Sequence, residues 1–367
     1  MKVMSVFGTR PEMIKMWSTL KKLDELPGFE HIMVHTGQNY TPELKDFFFN
    51  DLELRAPDHQ LAISTASYGK EVADVVRMSE ELFQKERPDA LLILGDTYSC
   101  LSVLPAAHYG IKVFHMEAGL RAYDRRMPEQ RNRMVVDRLS DYNLVYNQYH
   151  RENLLREGMH PSKIIVMGNP TFEVIRHFEK KIDASKIMET LGLKPKGYLL
   201  VTAHRSENVD HKDTLAAILD ALARLHKDTG LEIVYPAHPR AMNKIEQFGL
   251  KVDPSIKFMK PLGYYDYNKL FKHAACSLSD SGTSPEEAFY YKVPCVSLRQ
   301  TTERFETIEG GAHIVGGSNA DNIFAAVKQS IALGAGGVWG ARYDMCEDLD
   351  CSRVVVNTIR SAITNYF

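Results

Sequence analysis

The chain has 367 residues, a formal net charge of −2, and a composition 44% hydrophobic and 25% charged. That length suits two domains rather than one small core, and the balance is that of an ordinary soluble globular protein. So small a charge argues against a nucleic-acid or anionic-membrane surface, and no apolar run approaches the ~20 residues that span a bilayer.

The opening MKVMSVFGTRPE reads as a strand entering a loop, without the apolar core and small-residue cleavage site of a signal peptide. Five scattered cysteines (Cys100, Cys276, Cys295, Cys346, Cys351) form no CxxC pair, which points to reduced thiols and a cytoplasmic location. Fourteen histidines show no HExxH spacing, so no metal site is expected.

Residues 2–7 form an apolar strand ended by Gly8, and Thr9, Arg10 and Pro11 lead into a helical pattern through about residue 26. Arg10 in the loop and Lys15 one turn inside place two cations at a helix N-terminus, where free N–H groups and the helix dipole favour anions. An ordinary loop arginine and surface lysine would look the same. A strand over 31–35 and a helix over 68–86 follow, the helix apolar at Val72, Val75, Val76, Met78, Leu82 and Phe83. The continuous apolar run 90–94 suits a strand buried on both faces of a parallel sheet. It ends in Gly95-Asp96-Thr97, so Asp96 stands where open α/β sheets contact ligands, although an Asp there is often only a helix cap.

After a helix over 101–109, the strand 112–116 delivers Glu117 into Ala-Gly, and Glu129 follows Pro128 at a helix start. Arg121, Arg125, Arg126, Arg131 and Arg133 surround these acids. Carboxylates at the end of a strand, ringed by guanidinium groups, suit proton transfer on an anionic substrate. A solvated, salt-bridged turn is the plainer reading of such a charge run.

The alternation continues through 142–145, 148–157 and 164–167, and Gly168-Asn169-Pro170 marks a domain boundary. A helical segment, 172–191, leads to a second α/β series. There the strand 198–202 ends in Ala203-His204-Arg205, and 232–237, after a helix over 212–229, in His238-Pro239-Arg240. The strand 277–280 runs into Ser281-Gly282-Thr283, ahead of a helix opening Ser284-Pro285-Glu286-Glu287. Small residues over a helix start let backbone N–H groups approach a phosphate, and a carboxylate one turn inside can accept from ribose hydroxyls. Helices over 319–333 and 352–365 close the chain, with 334–337 a flexible connector. No GxGxxG or GxxxxGK[ST] follows a strand, so bound NAD and a Walker-type ATP site lose ground and no cofactor is expected. The fold class is α/β, two Rossmann-like doubly wound parallel-sheet domains over 1–169 and 170–351.

Together, GTRPE (8–12), GDT (95–97), EAGLR (117–121), PEQRNR (128–133), AHR (203–205), DSGT with EE (280–287) and TTER (301–304) resemble the non-hydrolysing UDP-N-acetylglucosamine 2-epimerase family. The resemblance covers nearly the whole chain in order and spacing. It implies a glycosyltransferase-B-like arrangement with a central cleft, a closing helix (352–367) packed back on the first domain, and a homodimer, since the family often dimerises. The family's reaction makes sense of the acids. The proton on carbon 2 of a 2-acetamido sugar is not acidic, so UDP departs with it, a glycal forms, and UDP adds back after reprotonation on the other face. Such a route needs a base, an acid with a separated pKa, and cations for the departing UDP. By resemblance Asp96, Glu117 and Glu129 handle protons and His204 assists at the phosphate. Arg10, Lys15, Arg133, Arg205, His238, Ser281, Gly282, Thr283, Glu287 and Arg304 hold the UDP-sugar, the only partner implied besides a second copy. Which acid takes which step is open.

Two departures bear on the substrate. The family's usual Gly-Gly after Asp-Ser is Gly282-Thr283, and Thr36-Gly37-Gln38-Asn39-Tyr40 stands where a Gln-His-Arg loop is typical. HTGQNY, AHRSENVD, HPR and PLGYYDYN look closer to a branch acting on UDP-2-acetamido-2,6-dideoxyhexoses or UDP-2,3-diacetamido uronic acids for capsule or O-antigen, while EAGLR and GNP look like the parent branch. A hydrolysing epimerase, a glycosyltransferase and a non-catalytic nucleotide-sugar sensor are more distant alternatives. Loss of the Gln-His-Arg loop, with Ser206 where an arginine precedes the family's glutamate, implies that no second UDP-N-acetylglucosamine is needed as activator.

Overall fold

Apolar runs without alternation make the central strands. Ala90–Leu94 is buried at every position, which requires cover on both faces. In a computed structural model, which describes residues 1–37, 51–64, 66–124, 127–334 and 349–364, the strands form two sheets. The first contains β1 (Lys2–Phe7), β2 (Glu30–His35), β3 (His59–Gln60), β4 (Ala90–Leu94), β5 (Lys112–Met116), β6 (Tyr142–Val145) and β7 (Ile164–Val166) in the order β3-β2-β1-β4-β5-β6-β7. The second contains β8 (Tyr198–Thr202), β9 (Glu232–Pro236), β10 (Ile256–Met259), β11 (Cys276–Ser279), β12 (Cys295–Ser297) and β13 (His313–Val315) in the order β10-β9-β8-β11-β12-β13. Neighbouring strands are parallel throughout. Strand order reverses between β1 and β4 and again between β8 and β11, the switch points beside which doubly wound sheets bind ligands at their carboxyl ends.

The chain divides into two compact units, Met1–His177 with Tyr343–Phe367, and Phe178–Arg342. The division lies past Asn169, inside the helix Pro170–Ala184. There the ring of His177 packs on Trp17 (4.4 Å between centroids), while that of Phe178 packs on Tyr265 (5.5 Å) and Tyr264 (5.9 Å). Successive residues of one helix point about 100° apart, so neighbours in sequence serve different cores. The helix expected to run to 191 stops at Ala184 and resumes as Ile187–Thr190. Ser185 interrupts it, donating its hydroxyl to Asp266 at 2.5 Å and accepting the Ile187 N–H at 3.2 Å. Likewise the segment expected as a helix over 101–109 is a 3₁₀ turn, Tyr98–Ser102, followed by Val103–His108.

The helix Cys351–Thr364 packs on Arg10–Glu25 and buries Val355, Val356, Ile359 and Ala362. Lys22 reaches Asp350 at 3.1 Å, and the Ser352 N–H donates to Glu173 at 3.0 Å. Helix Ala320–Gly334 takes in Gly334; the rest of the expected connector, residues 335–337, lies outside the described residues, as do Cys346 and Asn365. Cys100, Cys276, Cys295 and Cys351 are buried free thiols. Among the described residues no helix is long and apolar enough to cross a membrane, and no cluster of His, Cys, Asp or Glu could hold a metal ion.

Candidate active site

Glu117 is the first residue after β5, and its backbone φ is +64°. For a residue with a Cβ this left-handed conformation costs roughly 1 kcal/mol or more and persists only where surroundings enforce it. Here they do. Lys15 Nζ lies 2.6 Å from Glu117 Oε2, the Tyr146 hydroxyl donates to the same oxygen at 2.5 Å, and Arg133 Nη2 donates to Oε1 at 3.0 Å. Arg133 Nη2 is also 2.6 Å from Asp96 Oδ2, so one guanidinium joins two carboxylates. Lys15, Arg133 and Glu117 are buried, and Asp96 is half-buried in the turn after β4. The Asn132 amide donates to the Asp96 carbonyl at 3.0 Å.

Glu117 apart, these side chains come from four separate stretches of the fold. Lys15 lies on Arg10–Glu25, Arg133 on the helix Pro128–Leu139, Asp96 after β4, and Tyr146 just past β6. Half-buried Glu129 sits in the first turn of Pro128–Leu139, one turn before Arg133. Arg10 opens its own helix, also half-buried. The arginines that look alike in sequence part company. Arg133 faces the acids, Arg131 is exposed, and Arg121 is buried against Asp137 (2.7 Å) and Glu157 (2.7 Å). Arg125 and Arg126 lie outside the described residues, as do Gln38, Asn39 and Tyr40 of the loop after β2.

Sequence reading missed two members. Tyr146 carried a signal, since it follows β6 where Glu117 follows β5. Glu12 carried one too, three residues beyond Thr9 as in a capping box. Its Oε2 accepts from the Gly8 N–H (3.1 Å) and Thr9 N–H (2.8 Å), and its Oε1 from the hydroxyls of Thr97 (2.8 Å) and Ser99 (2.5 Å). Glu12 thus ties the Gly8-Thr9 turn that leads into Arg10 to the turn bearing Asp96. Burial pushes its pKa up, with the hydroxyls of Ser99, Thr9 and Thr97 and the Gly8 N–H working the other way.

In the second unit the organising group is Asp280, fully buried after β11. Its Oδ2 accepts the N–H groups of His204 (2.9 Å) and Arg205 (2.9 Å) and the amide of Asn208 (3.0 Å), and Oδ1 lies 3.1 Å from His204 Nδ1. Burial opposes its charge, but the contacts with His204, Arg205 and Asn208 prevail and hold its pKa at about 2. The His204 ring is exposed, with the His238 ring 6.4 Å away. His238 caps the helix Pro239–Gln247 by accepting the Arg240 N–H at 3.2 Å. Arg205 reaches Glu207 at 3.4 Å, and Ser206 opens the short helix Ser206–Val209.

The Ser281-Gly282-Thr283 loop precedes the helix Ser284–Tyr291. The N–H of Ser281 goes to the Ser279 hydroxyl (3.0 Å) and that of Thr283 to the Ser281 hydroxyl (3.3 Å). Glu287 is buried in the helix's first turn. Arg304 is buried rather than presented, its Nε 2.6 Å from Glu286 Oε1, and so braces the helix that carries Glu287.

A testable pH dependence arises here. His313 on β13 is buried beside the Thr307 hydroxyl (3.1 Å), and burial lowers its pKa from 6.5 to about 4. As pH falls, the unfolded chain therefore protonates first; stability is complete above about pH 6.5 and is lost between there and about pH 4. The expected loss is about 3 kcal/mol. Asp280 remains ionised across that window. Urea unfolding of wild type and His313→Asn at pH 7 and 4.5 checks this, and an equal drop in both would assign the acid loss to other groups.

The family model for UDP-N-acetylglucosamine 2-epimerase matches residues 21–338. The chain is 35% identical to a UDP-N-acetylglucosamine 2-epimerase of Methanococcus maripaludis over 339 residues, 90% of this chain and 92% of that protein. It is 32% identical to a UDP-2,3-diacetamido-2,3-dideoxy-D-glucuronate 2-epimerase of Pseudomonas aeruginosa, again over 90% of this chain and 92% of that one. The crystal structure of Methanocaldococcus jannaschii UDP-GlcNAc 2-epimerase in complex with UDP-GlcNAc and UDP matches with a TM-score of 0.90 at 32% identity, covering 98% of this chain and 100% of that one.

Proposed function

The chain belongs to the UDP-N-acetylglucosamine 2-epimerase family and is an isomerase, and from that premise we propose its reaction and the residues that perform it. It interconverts UDP-N-acetylglucosamine and UDP-N-acetylmannosamine, or a closely related UDP-2-acetamido sugar. UDP leaves carbon 1 as a proton leaves carbon 2, the resulting glycal is reprotonated on its other face, and UDP adds back. The observation that carries this reading is Glu117, held in a left-handed backbone conformation by Lys15, Arg133 and Tyr146, with Asp96 on the same guanidinium. A strained carboxylate gripped by three donors at the carboxyl end of a strand supports a role in the chemistry.

Asp96, Glu117 and Glu129 are assigned the proton transfers, and His204, oriented by Asp280, assistance at the phosphate. Arg10, Lys15, Arg133, Arg205, His238, the Ser281-Gly282-Thr283 loop and Glu287 bind the UDP-sugar, with Arg304 acting through Glu286. The relative from Pseudomonas aeruginosa supports a second reading, a UDP-2,3-diacetamido uronic acid, and a UDP-2-acetamido-2,6-dideoxyhexose belongs to the same class. The assigned setting is a cytoplasmic homodimer supplying surface polysaccharide such as capsule or O-antigen. Incubation with a panel of UDP-sugars in deuterated water, followed by NMR, tests the reaction. One sugar should epimerise with deuterium entering carbon 2; free sugar and UDP as sole products would show hydrolysis instead.

A further inference from the structure

We propose that His115 and Asp137 form a positioning pair that sets the three proton-handling carboxylates relative to one another, an inference that rests on the function proposed above. Both side chains are fully buried and do not face the solvent from which substrate arrives, so neither is a catalytic residue. What they touch gives them their role. His115 lies on β5, two residues before Glu117, and its Nε2 donates to the Gly95 carbonyl at 2.7 Å, one residue before Asp96. His115 Nδ1 lies 2.8 Å from Asp137 Oδ1. Asp137 is on Pro128–Leu139, the helix that carries Glu129 in its first turn and Arg133 one turn before Asp137. Two side chains therefore join the turn of Asp96, the strand of Glu117 and the helix of Glu129.

The surroundings reinforce the mount. Asp137 Oδ2 faces Arg121 Nη1 at 2.7 Å and accepts the Gly119 N–H at 3.3 Å, in the turn that follows Glu117. Arg121 is held in turn by both oxygens of Glu157, each at 2.7 Å. Burial opposes the charge on Asp137, but His115 and Arg121 outweigh it and keep its pKa below the usual carboxylate range. The Gly95 N–H donates to the Met116 carbonyl at 2.9 Å, closing the link between the β4 turn and β5. Buried charges of this kind are poor sources of stability, since apolar residues of similar volume often do as well. Their concentration under the three acids is better explained by geometry, because displacing a reacting group by ~1 Å costs about 100-fold in rate.

The test uses the full-length enzyme with UDP-N-acetylglucosamine, or whichever UDP-sugar the panel identifies, and UDP as the binding probe. His115→Leu, which removes both contacts, should lower kcat about 100-fold with KM and the UDP Kd within threefold. His115→Gln, whose amide can still donate to the Gly95 carbonyl, should recover most of that loss at a similar melting temperature. Asp137→Asn should fall between them, with deuterium exchange at carbon 2 slowed in proportion to kcat. Should His115→Leu or Asp137→Asn fail to fold, Glu157→Gln at the part-exposed edge of the cluster carries the test, with kcat lowered severalfold at unchanged KM. Folded variants with wild-type kcat would overturn the proposal, as would equal losses for His115→Leu and His115→Gln. Wild-type protein inactive on every UDP-2-acetamido sugar would instead remove the proposed function.

Discussion

Glu117→Gln is expected to lower turnover by about 100-fold or more, the usual scale for losing a positioned acid or base, while UDP affinity changes no more than a few-fold. The amide keeps the volume and the two-headed shape, so the left-handed turn can still form. What it loses is acceptance. One of its heads becomes an NH₂ facing Lys15 and Tyr146 or Arg133, all of which donate to the carboxylate in the native site. Position 117 then offers no anionic oxygen for a proton transfer. Single-turnover kinetics, deuterium exchange and UDP calorimetry together separate this from simple loss of binding. Exchange at near wild-type rate would mean that Glu117 only braces Lys15 and Arg133 and that the chemistry belongs to Asp96 or Glu129.

Gly119→Ala should be damaging for so small a substitution, at roughly 2–4 kcal/mol. Its φ is +78°, and a Cβ built there would meet the His150 carbonyl oxygen at 2.5 Å and Leu154 Cγ at 3.1 Å. Backbone and a packed leucine cannot swing aside as a flexible side chain would. Gly110→Ala is the matched control, because its φ is +69° but a Cβ there meets nothing within 4 Å. It should lose only about 1 kcal/mol, the conformational part alone. Urea or thermal melts of the pair make the comparison. If both lose the same amount, the close approach to His150 is not what requires glycine at position 119.

How much of this was legible depended on the range of the interaction. Ala90–Leu94 declared itself through a local property, five apolar residues in a row, and so did Asp96 and Glu117 as polar residues within two positions of a strand's end. β12 and β13, three residues each, are too short to show any period and are strands only because neighbours pair with them. The grip on Glu117 was equally hidden, since Lys15 lies 102 residues away in sequence and Tyr146 lies 29 away. Charge runs concealed direction as well. Arg121 and Arg133 look equivalent along the chain, but the helix Pro128–Leu139 turns one toward Asp96 while the other follows the loop into Asp137.

The return of the chain to its first unit sets an order of assembly. Everything from Phe178 to Arg342 emerges from the ribosome before the helix Cys351–Thr364 exists. The second unit has all its strands by then and can close, while the first still lacks the helix that covers Arg10–Glu25. Domains ordinarily finish folding in the order they are made. Here the earlier-made half is completed only after the later one, its helix Arg10–Glu25 lacking that cover for the time needed to translate an entire domain.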